Sequence, residues 1–195
     1  MNLVLATRNT HKVRELAALL DGIEVVPLPD GAELPPETGD SFAANALLKA
    51  WAAARATGRA AIADDSGIES EALGGAPGVR SARFAGEHAS DADNLARLIA
   101  QAPPGSALAY VCVIALVDPR TSEEHLFEGR CTGTMAGAPR GAGGFGYDPV
   151  FVPDDRDDGR TMAELDPAEK DAISHRGRAA RALLGHLQSG ARGVS

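Results

Sequence analysis

Two adjacent carboxylates, Asp64 and Asp65, stand where a short strand predicted over residues 60–64 enters a turn at Asp64–Gly67. Open α/β sheets bind their ligands at the carboxyl ends of strands, so a reactive group is expected here. Like charges held together repel unless a metal ion or a proton intervenes, and carboxylate oxygens suit Mg²⁺. Glu37, in a proline-rich loop, can supply a further ligand. The alternative is an acidic turn in which an aspartate caps the next element.

A strand, a turn and a helix within residues 3–20 form a second candidate site, for an anion. Thr7, Asn9 and Thr10 place short polar side chains where the strand ends and the helix begins. Lys12 falls in the first helical turn, where the helix dipole already favours negative charge, so its ammonium indicates an anionic ligand. The alternative is that Asn9 or Thr10 caps the helix and that Lys12 is solvated.

Lysine is rare in this chain, because only Lys12, Lys49 and Lys170 occur among its 19 basic residues. A lysine ammonium is a compact point charge, which suits a phosphate oxygen where a planar guanidinium does not fit. All three lysines are therefore candidates for a task that arginine cannot perform. Chance retention at the surface is the alternative.

Aromatic residues make up only 4% of the chain, yet Phe145 and Tyr147 lie together on a glycine-rich loop. Base–aromatic stacking contributes ~1–3 kcal/mol in single-strand binders, and these two rings can stack on a base. His175 and Arg176 add donors that match the purine acceptors N7 and O6. The alternative is that Phe145 fills the core and that the Ser174–Arg176 segment caps the last helix.

Two further patterns carry no chemistry. The segment Gly141–Gly146 matches the dinucleotide pattern G-x-G-x-x-G, but that pattern binds a pyrophosphate only where a helix opens on it. Here Tyr147-Asp148-Pro149 follows and favours an extended segment, so the match is interpreted as accidental. Cys112, Cys131 and the 5 histidines show no metal-binding spacing.

The composition excludes several classes of partner. A net charge of −8 disfavours a nucleic acid polymer, whose phosphates demand a basic face. No apolar run approaches the ~18 residues of a membrane span, and the first residues lack the pattern of a secretory signal. Two cysteines without metal spacing are typical of reduced thiols, so we expect a cytoplasmic protein that binds no membrane.

The elements predict a mixed α/β fold in one domain over residues 1–190, followed by a frayed tail at residues 191–195. Apolar periodicity predicts helices over residues 11–21, 40–57, 91–101 and 167–188, the last of which is broken near Ser174. Apolar runs predict strands over residues 2–7, 23–26, 60–64, 107–117 and 124–134, with an antiparallel pairing of the last two.

Taken in order, these segments make the chain similar to the inosine/xanthosine triphosphate pyrophosphatase family, also called Ham1-like. The matching segments run along nearly the whole chain and are Leu5–Lys12, Glu37–Phe42, Asn45–Lys49, Ala63–Gly67, Leu73–Gly78, Ser81–Gly86, Gly143–Pro149 and Ser174–Arg176. All three lysines lie inside or beside matching segments.

This resemblance implies a central twisted mixed sheet with two lobes and a nucleotide cleft between them. It also implies a Mg²⁺-dependent hydrolase that cleaves ITP, dITP and XTP between the α- and β-phosphates. The products are the nucleoside monophosphate and pyrophosphate. Members of this family typically form homodimers and clear such nucleotides from the cellular pool.

The resemblance also assigns roles to residues, position by position. The residues that should hold the triphosphate are Thr7, Arg8, Asn9, Thr10, His11, Lys12 and Lys49. Glu37 and Asp65 should bind the metal, Asp64 is a further candidate ligand, and Asp65 should accept the proton of the attacking water. Ser66 should touch the substrate. The residues that should form the base pocket are Phe145, Gly146, Tyr147, Asp148, Lys170, His175 and Arg176.

One position departs from the family pattern, because Arg8 stands where the first motif often has glycine. Either the turn tolerates an outward side chain or Arg8 adds a phosphate contact. Two other functions remain as alternatives. A Maf-like nucleotide pyrophosphatase would prefer another base, and the segments Phe145–Asp148 and Ser174–Arg176 argue against it. A non-catalytic nucleotide-binding module would need no carboxylate cluster.

Overall fold

The computed structural model describes residues 2–192 and shows a mixed α/β protein, as the sequence predicts. The strands are β1 (Asn2–Leu5), β2 (Glu24–Pro27), β3 (Ala61–Ser70), β4 (Ala107–Asp118), β5 (Glu123–Met135) and β6 (Phe151–Pro153). The helices are α1 (Thr10–Leu19), α2 (Phe42–Thr57), α3 (Asp91–Gln101), α4 (Pro167–Ile173) and α5 (His175–Arg192).

These strands form one mixed sheet in the order β2-β1-β3-β4-β5-β6. β1 pairs in parallel with β2 and with β3, whereas β5 and β6 are antiparallel. β4 is buried from Leu108 to Val117, which explains why its sequence is apolar throughout and does not alternate.

β3 corrects the predicted turn at Asp64–Gly67. The strand runs through this segment to Ser70, so Asp64 and Asp65 lie in the middle of a strand. Successive side chains on a strand point to opposite faces of the sheet, and the two carboxylates therefore diverge. The local composition indicated a turn, because a buried aspartate is costly in a strand unless other elements supply a counter-charge, and those elements are remote in sequence.

The chain divides into two compact units, each with its own apolar core. The first unit comprises residues 2–65, 112–129 and 176–192 of the described chain. Its largest fully buried side chains are Leu3, Leu5, Leu16, Leu20, Ile62, Ile114 and Leu183. Its one cysteine, Cys112, is also fully buried.

The second unit comprises residues 66–111 and 130–175. Its core includes Ile68, Leu98, Val150, Phe151 and Met162, and Tyr147 packs in the same cluster. Its one cysteine, Cys131, is fully buried as well. Two of the boundaries between the units fall inside motifs that the sequence analysis singled out. One lies between Asp65 and Ser66, and the other lies between His175 and Arg176.

Side-chain caps set the ends of several helices. Asn9 caps α1 by accepting hydrogen bonds from the backbone N–H groups of His11 and Lys12, and Ser41 caps α2. Ser174 ends α4 before α5 begins, which confirms the predicted break. α5 continues to Arg192, and residues 193–195 of the predicted tail lie outside the described residues.

No helix among residues 2–192 combines the length and the apolar character that crossing a membrane requires.

Candidate active site

Lys49 joins two carboxylates of the first unit. Its side chain is buried on α2, and its Nζ lies 2.5 Å from Oε1 of Glu37 and 3.6 Å from Oδ1 of Asp65. Glu37 comes from the proline-rich loop and Asp65 from β3, so one ammonium links three separate segments. The structure thus brings together two predicted metal ligands, Glu37 and Asp65, and one predicted triphosphate contact, Lys49.

Asn45 lies one helical turn before Lys49 on α2 and contacts both Asp65 and the loop that carries Glu37. Its Nδ2 donates to Oδ2 of Asp65 at 3.0 Å, and its Oδ1 accepts from the backbone N–H of Gly39 at 2.7 Å. A Cβ at Gly39 would lie 2.7 Å from that Oδ1, so glycine is required for the loop to approach α2. Asn45 thereby fixes Asp65 and the loop that carries Glu37.

Asp64 faces a different set of cations. Its Oδ2 lies 2.9 Å from Nζ of Lys12 and 3.5 Å from a guanidinium nitrogen of Arg176. Arg176 is buried at the start of α5 and also forms an ion pair with Glu15. We call these eight residues the charged cluster, comprising Lys12, Glu15, Glu37, Asn45, Lys49, Asp64, Asp65 and Arg176.

The register of the parallel strands explains how Lys12 meets Asp64. Leu5 on β1 pairs with Ile62 on β3, and the N–H of Ala6 donates to the carbonyl of Ile62 at 2.8 Å. The turn after β1 therefore begins level with the residues that precede Asp64. Since α1 starts in that turn, its first turn presents the ammonium to the carboxylate.

The two aspartates differ in their proton affinity. Burial alone would raise the pKa of Asp64, but the charges of Lys12, Arg176 and Lys49 outweigh it and hold that pKa well below its usual range. Burial raises the pKa of Asp65, and the charge of Glu37 adds to this effect while Lys49 opposes it. Asp65 is therefore the stronger base of the two.

The predicted triphosphate segment makes mostly local contacts. Asn9 acts as the helix cap, which is the alternative that the sequence left open, and its N–H donates to Oγ1 of Thr7 at 3.2 Å. Thr10 and His11 are exposed, and His11 contacts Arg14 through Nδ1. Lys12 is not simply solvated, because it pairs with Asp64.

Arg8 binds a loop of its own unit. Its guanidinium donates to the carbonyl oxygens of Pro29 at 2.8 Å and Ala32 at 2.9 Å, with longer contacts to those of Leu28 and Asp30. This loop leads to Glu37. The first of the two explanations for Arg8 therefore agrees with the structure, because the side chain points outward onto a neighbouring segment.

Asp148 is the centre of a second cluster, which lies in the second unit. Its Oδ2 accepts from Nζ of Lys170 and from the N–H of Phe145, each at 2.9 Å, and its Oδ1 accepts from the hydroxyl of Tyr110 at 3.0 Å. The ammonium of Lys170 also lies 5.1 Å from the centroid of the Phe145 ring, a cation–π distance.

His175 joins this second cluster through its ring, which stacks on Tyr110 with centroids 4.6 Å apart and planes 9° apart. We call these five residues the aromatic cluster, comprising Tyr110, Phe145, Asp148, Lys170 and His175. Ser66 is half-buried on β3 in the same unit.

The glycine-rich loop wraps the carboxylate of Asp148. Gly144 has a φ of +69°, and a Cβ there would lie 2.0 Å from Oδ2 of Asp148. Only glycine therefore fits at this position. No helix opens on the loop, because a short 3-10 turn and β6 follow it. Its match to the dinucleotide pattern is accidental, as the sequence predicts.

Tyr147 serves the core of the second unit. It is buried, its hydroxyl donates to the carbonyl of Ser81 at 2.7 Å, and burial raises its pKa, with a smaller contribution from Asp91. Phe145 is instead half-buried beside Lys170. The sequence alternative of a core aromatic residue thus applies to Tyr147 rather than to Phe145.

The structure separates one predicted pair and adds three residues. His175 lies in the aromatic cluster, whereas the guanidinium of Arg176 contacts Asp64 and Glu15 in the charged cluster. The residues that the site prediction did not include are Glu15, Asn45 and Tyr110. Asn45 had a signal in its spacing of four residues from Lys49, while Glu15 and Tyr110 had none, because their partners are remote in sequence.

Within residues 2–192, no group of three or more His, Cys, Asp or Glu side chains is arranged to hold a metal ion. The three carboxylates predicted as metal ligands contact different cations. Glu37 and Asp65 share Lys49, and Asp64 faces Lys12 and Arg176.

The chain matches the model of the Ham1 family over residues 3–186. It is 51% identical to a dITP/XTP pyrophosphatase of Mycolicibacterium paratuberculosis over 97% of each chain. Among solved structures, it is similar to a HAM1 protein from Coxiella burnetii, with a TM-score of 0.88 and 40% identity over 97% of this chain and 99% of that one. It is also similar to the Staphylococcus aureus Ham1 protein, with a TM-score of 0.84 and 36% identity over 97% of this chain and 100% of that one.

Proposed function

The chain belongs to the Ham1 family, and on that premise we propose that it hydrolyses noncanonical purine nucleoside triphosphates, namely ITP, dITP and XTP. The products are the nucleoside monophosphate and pyrophosphate. The relative of Mycolicibacterium paratuberculosis, named as a dITP/XTP pyrophosphatase, supports the substrate class. The observation that carries the proposal is the contact of Lys49 with both Glu37 and Asp65, because it gathers a cation and two carboxylates of the kind phosphoanhydride hydrolysis needs.

In this proposal the charged cluster acts on the phosphates. Lys12 and Lys49 supply compact positive charges, which stabilise charge that develops on phosphate oxygens. Asp65 accepts a proton from the attacking water, because burial raises its pKa and makes it a better base than Asp64. Thr7, Asn9, Thr10 and His11 stay as proposed triphosphate contacts and Ser66 as a substrate contact, whereas Arg8 binds the loop at residues 28–32.

A divalent ion fits this cluster, and we propose Mg²⁺. Glu37 and Asp65 both face one ammonium, so their oxygens can face one cation, and oxygen donors are those that Mg²⁺ prefers. Two protein ligands suffice because this ion usually keeps waters and shares substrate phosphates. When bound, it would neutralise charge on the phosphates.

The charge balance of the cluster also favours an added cation. Its three cationic side chains, Lys12, Lys49 and Arg176, face the carboxylates of Glu15, Glu37, Asp64 and Asp65, so the cluster carries no excess of positive charge. A triphosphate brings several further negative charges. Its binding is therefore favoured by positive charge added from outside the cluster, as a divalent ion would supply.

We assign the base of the substrate to the aromatic cluster, together with Gly146, Tyr147 and Arg176. A 6-keto purine presents an acceptor at O6, which donors such as those of His175 and Lys170 match. Adenine presents an amino group there, which would leave those donors unpaired. The half-buried ring of Phe145 can stack on the base.

We further propose that the protein is a cytoplasmic homodimer, as the family resemblance implies. Two buried cysteines without a disulfide between them are compatible with a reducing compartment. Light scattering on the purified protein should give twice the mass of the 20.1 kDa chain, and a mass of one chain would overturn the dimer.

The function is tested by measuring pyrophosphate release from ITP, dITP, XTP, ATP and GTP, with and without Mg²⁺. We expect metal-dependent release mainly from ITP, dITP and XTP. Release from none of them by a folded sample would leave a nucleotide-binding module. Release chiefly from another base would favour a Maf-like specificity.

A further inference from the structure

Tyr110 is buried on β4 in the second unit, within a run that the sequence marks only as apolar core. Its one polar side-chain group, the hydroxyl, donates a hydrogen bond to Oδ1 of Asp148 at 3.0 Å. A buried tyrosine usually finds some partner for its hydroxyl. Here that partner is the carboxylate at the centre of the aromatic cluster.

The ring of Tyr110 has its own contacts. It stacks on the imidazole of His175, with centroids 4.6 Å apart and planes 9° apart. It also packs against Phe151, with centroids 4.6 Å apart and planes tilted by 33°. Phe151 is fully buried, so it gives the tyrosine ring a rigid support in the core.

One side chain therefore constrains two groups of the aromatic cluster. The hydrogen bond from Tyr110 holds one oxygen of Asp148, while Lys170 and the N–H of Phe145 hold the other. With donors at both oxygens, the plane of the carboxylate cannot rotate freely. A carboxylate offers about four acceptor sites, so it retains capacity for a donor on a ligand.

The fixed orientation of these polar groups matters for base selectivity. A mismatched base is rejected only if the polar groups around it cannot rotate to form hydrogen bonds with it. A site built for one hydrogen-bond pattern rejects another by leaving its own buried groups unpaired. A carboxylate or imidazole that can re-aim avoids that penalty. The residue that fixes Asp148 and His175 is therefore placed to set selectivity without touching the base.

We propose that Tyr110 is a positioning residue that determines base preference by fixing Asp148 through its hydroxyl and His175 through its ring. This proposal rests on the proposed function and deepens it. Wild-type activity separates the two, because absent pyrophosphate release would overturn the function, whereas an active wild type with an unaffected Tyr110 variant would overturn only the role of Tyr110.

The test is Tyr110→Phe, which keeps the stacked ring and removes only the hydroxyl. Because one hydrogen bond to a charged acceptor is lost, we expect KM for ITP to rise roughly tenfold and the preference for ITP over ATP to fall by about the same factor. The kcat for ITP should stay within about twofold, since the proton acceptor Asp65 is unchanged. Unchanged KM and preference would overturn the proposal.

The matched control is Thr161→Val, which removes another fully buried hydroxyl from the second unit. Oγ1 of Thr161 donates to the carbonyl of Arg140 at 3.0 Å and lies outside the aromatic cluster. It should lower the melting temperature about as much as Tyr110→Phe and leave KM and base preference unchanged. Equal kinetic effects from both variants would mean that Tyr110 acts only through general stability.

A double-mutant cycle with Asp148→Ala, which removes the acceptor oxygens, separates positioning from packing. If the hydroxyl acts through Asp148, then Tyr110→Phe should change KM for ITP by less than about twofold in the Asp148→Ala background. Fully additive effects would overturn the proposal.

Should Tyr110→Phe not fold, Phe151→Leu serves instead, because it loosens the packing of the Tyr110 ring and keeps the hydroxyl. That variant should lower the ITP preference about threefold, and an unchanged preference would count against the proposal.

Discussion

The charged cluster and the aromatic cluster hold their carboxylates by different means. In the charged cluster, Asp64 and Asp65 are neutralised by full charges, from Lys12 and Arg176 on one side and from Lys49 on the other. In the aromatic cluster, Asp148 is held by one ammonium together with a hydroxyl and a backbone N–H. The first arrangement balances charge, and the second fixes direction.

This difference matches two tasks of a nucleotide hydrolase. Phosphate chemistry depends on how much charge is present and where, so ion pairs that a ligand can rearrange are suitable. Discrimination between bases depends on donors and acceptors that keep their directions. Apart from Arg176, which is also assigned to the base, changes in the charged cluster should therefore alter rate and stability, and changes in the aromatic cluster should alter preference.

The largest effect is expected from Asp65→Asn, which removes the proposed proton acceptor and keeps its shape. We expect kcat for ITP to fall by about 10³-fold, within the range that general base catalysis contributes. The base preference of any residual activity should be unchanged. Pyrophosphate release is the measurement, circular dichroism checks the fold, and the exposed Asp40→Asn serves as the control. Normal turnover by a folded Asp65→Asn variant would refute the assignment.

A large loss of stability is expected from Asp64→Asn, because it removes the buried carboxylate that pairs with Lys12 and that shares the buried Arg176 with Glu15. Breaking a buried ion pair on one side costs roughly 3–5 kcal/mol. Urea unfolding should show this as a lower midpoint. Asp158→Asn is the control, since Asp158 pairs with Arg156 and Arg160 at the surface and its loss should barely move the midpoint. Equal shifts for the two variants would contradict the charge-balancing role.

A moderate effect is expected from His175→Ala and Arg176→Ala. Both should lower the preference for ITP over ATP by roughly tenfold, because each removes a donor assigned to the base. Arg176→Ala should also reduce stability, since its guanidinium holds Glu15 and Asp64. Competition between ITP and ATP measures the preference directly. If Arg176→Ala lowers both rates equally, Arg176 belongs to the charged cluster alone and His175 reads the base.

The smallest effect is expected from Arg8→Gly, which restores the residue that the family often has. Loss of the contacts to the loop at residues 28–32 should lower the melting temperature by about 2–4 °C. Proteolysis within residues 27–39 should become faster, while KM for ITP stays within about twofold. A tenfold rise in KM would show that Arg8 contacts phosphate instead.

Elements with local signals could be predicted from the sequence, whereas the partners of buried polar side chains could not. α3 begins and ends where predicted, because Ser90 caps it and its own periodicity defines it. The part of β3 from Asp64 to Gly67 was mistaken for a turn, since the cations that make Asp64 and Asp65 tolerable come from α1, α2 and α5. The hydroxyl of Tyr110 meets Asp148 across 38 positions, so nothing near Tyr110 in sequence indicates its role.

Each unit contains a single cysteine in its interior, Cys112 in the first and Cys131 in the second. Burial raises the pKa of the Cys112 thiol to about 12, with a smaller contribution from Asp64, so this thiol reacts only after local unfolding exposes it. In Cys131→Ser protein, the rate of thiol labelling therefore reports the opening of the first unit, and in Cys112→Ser protein that of the second. The chain thus carries two native probes, which can show whether a bound nucleotide protects both units from opening or only one.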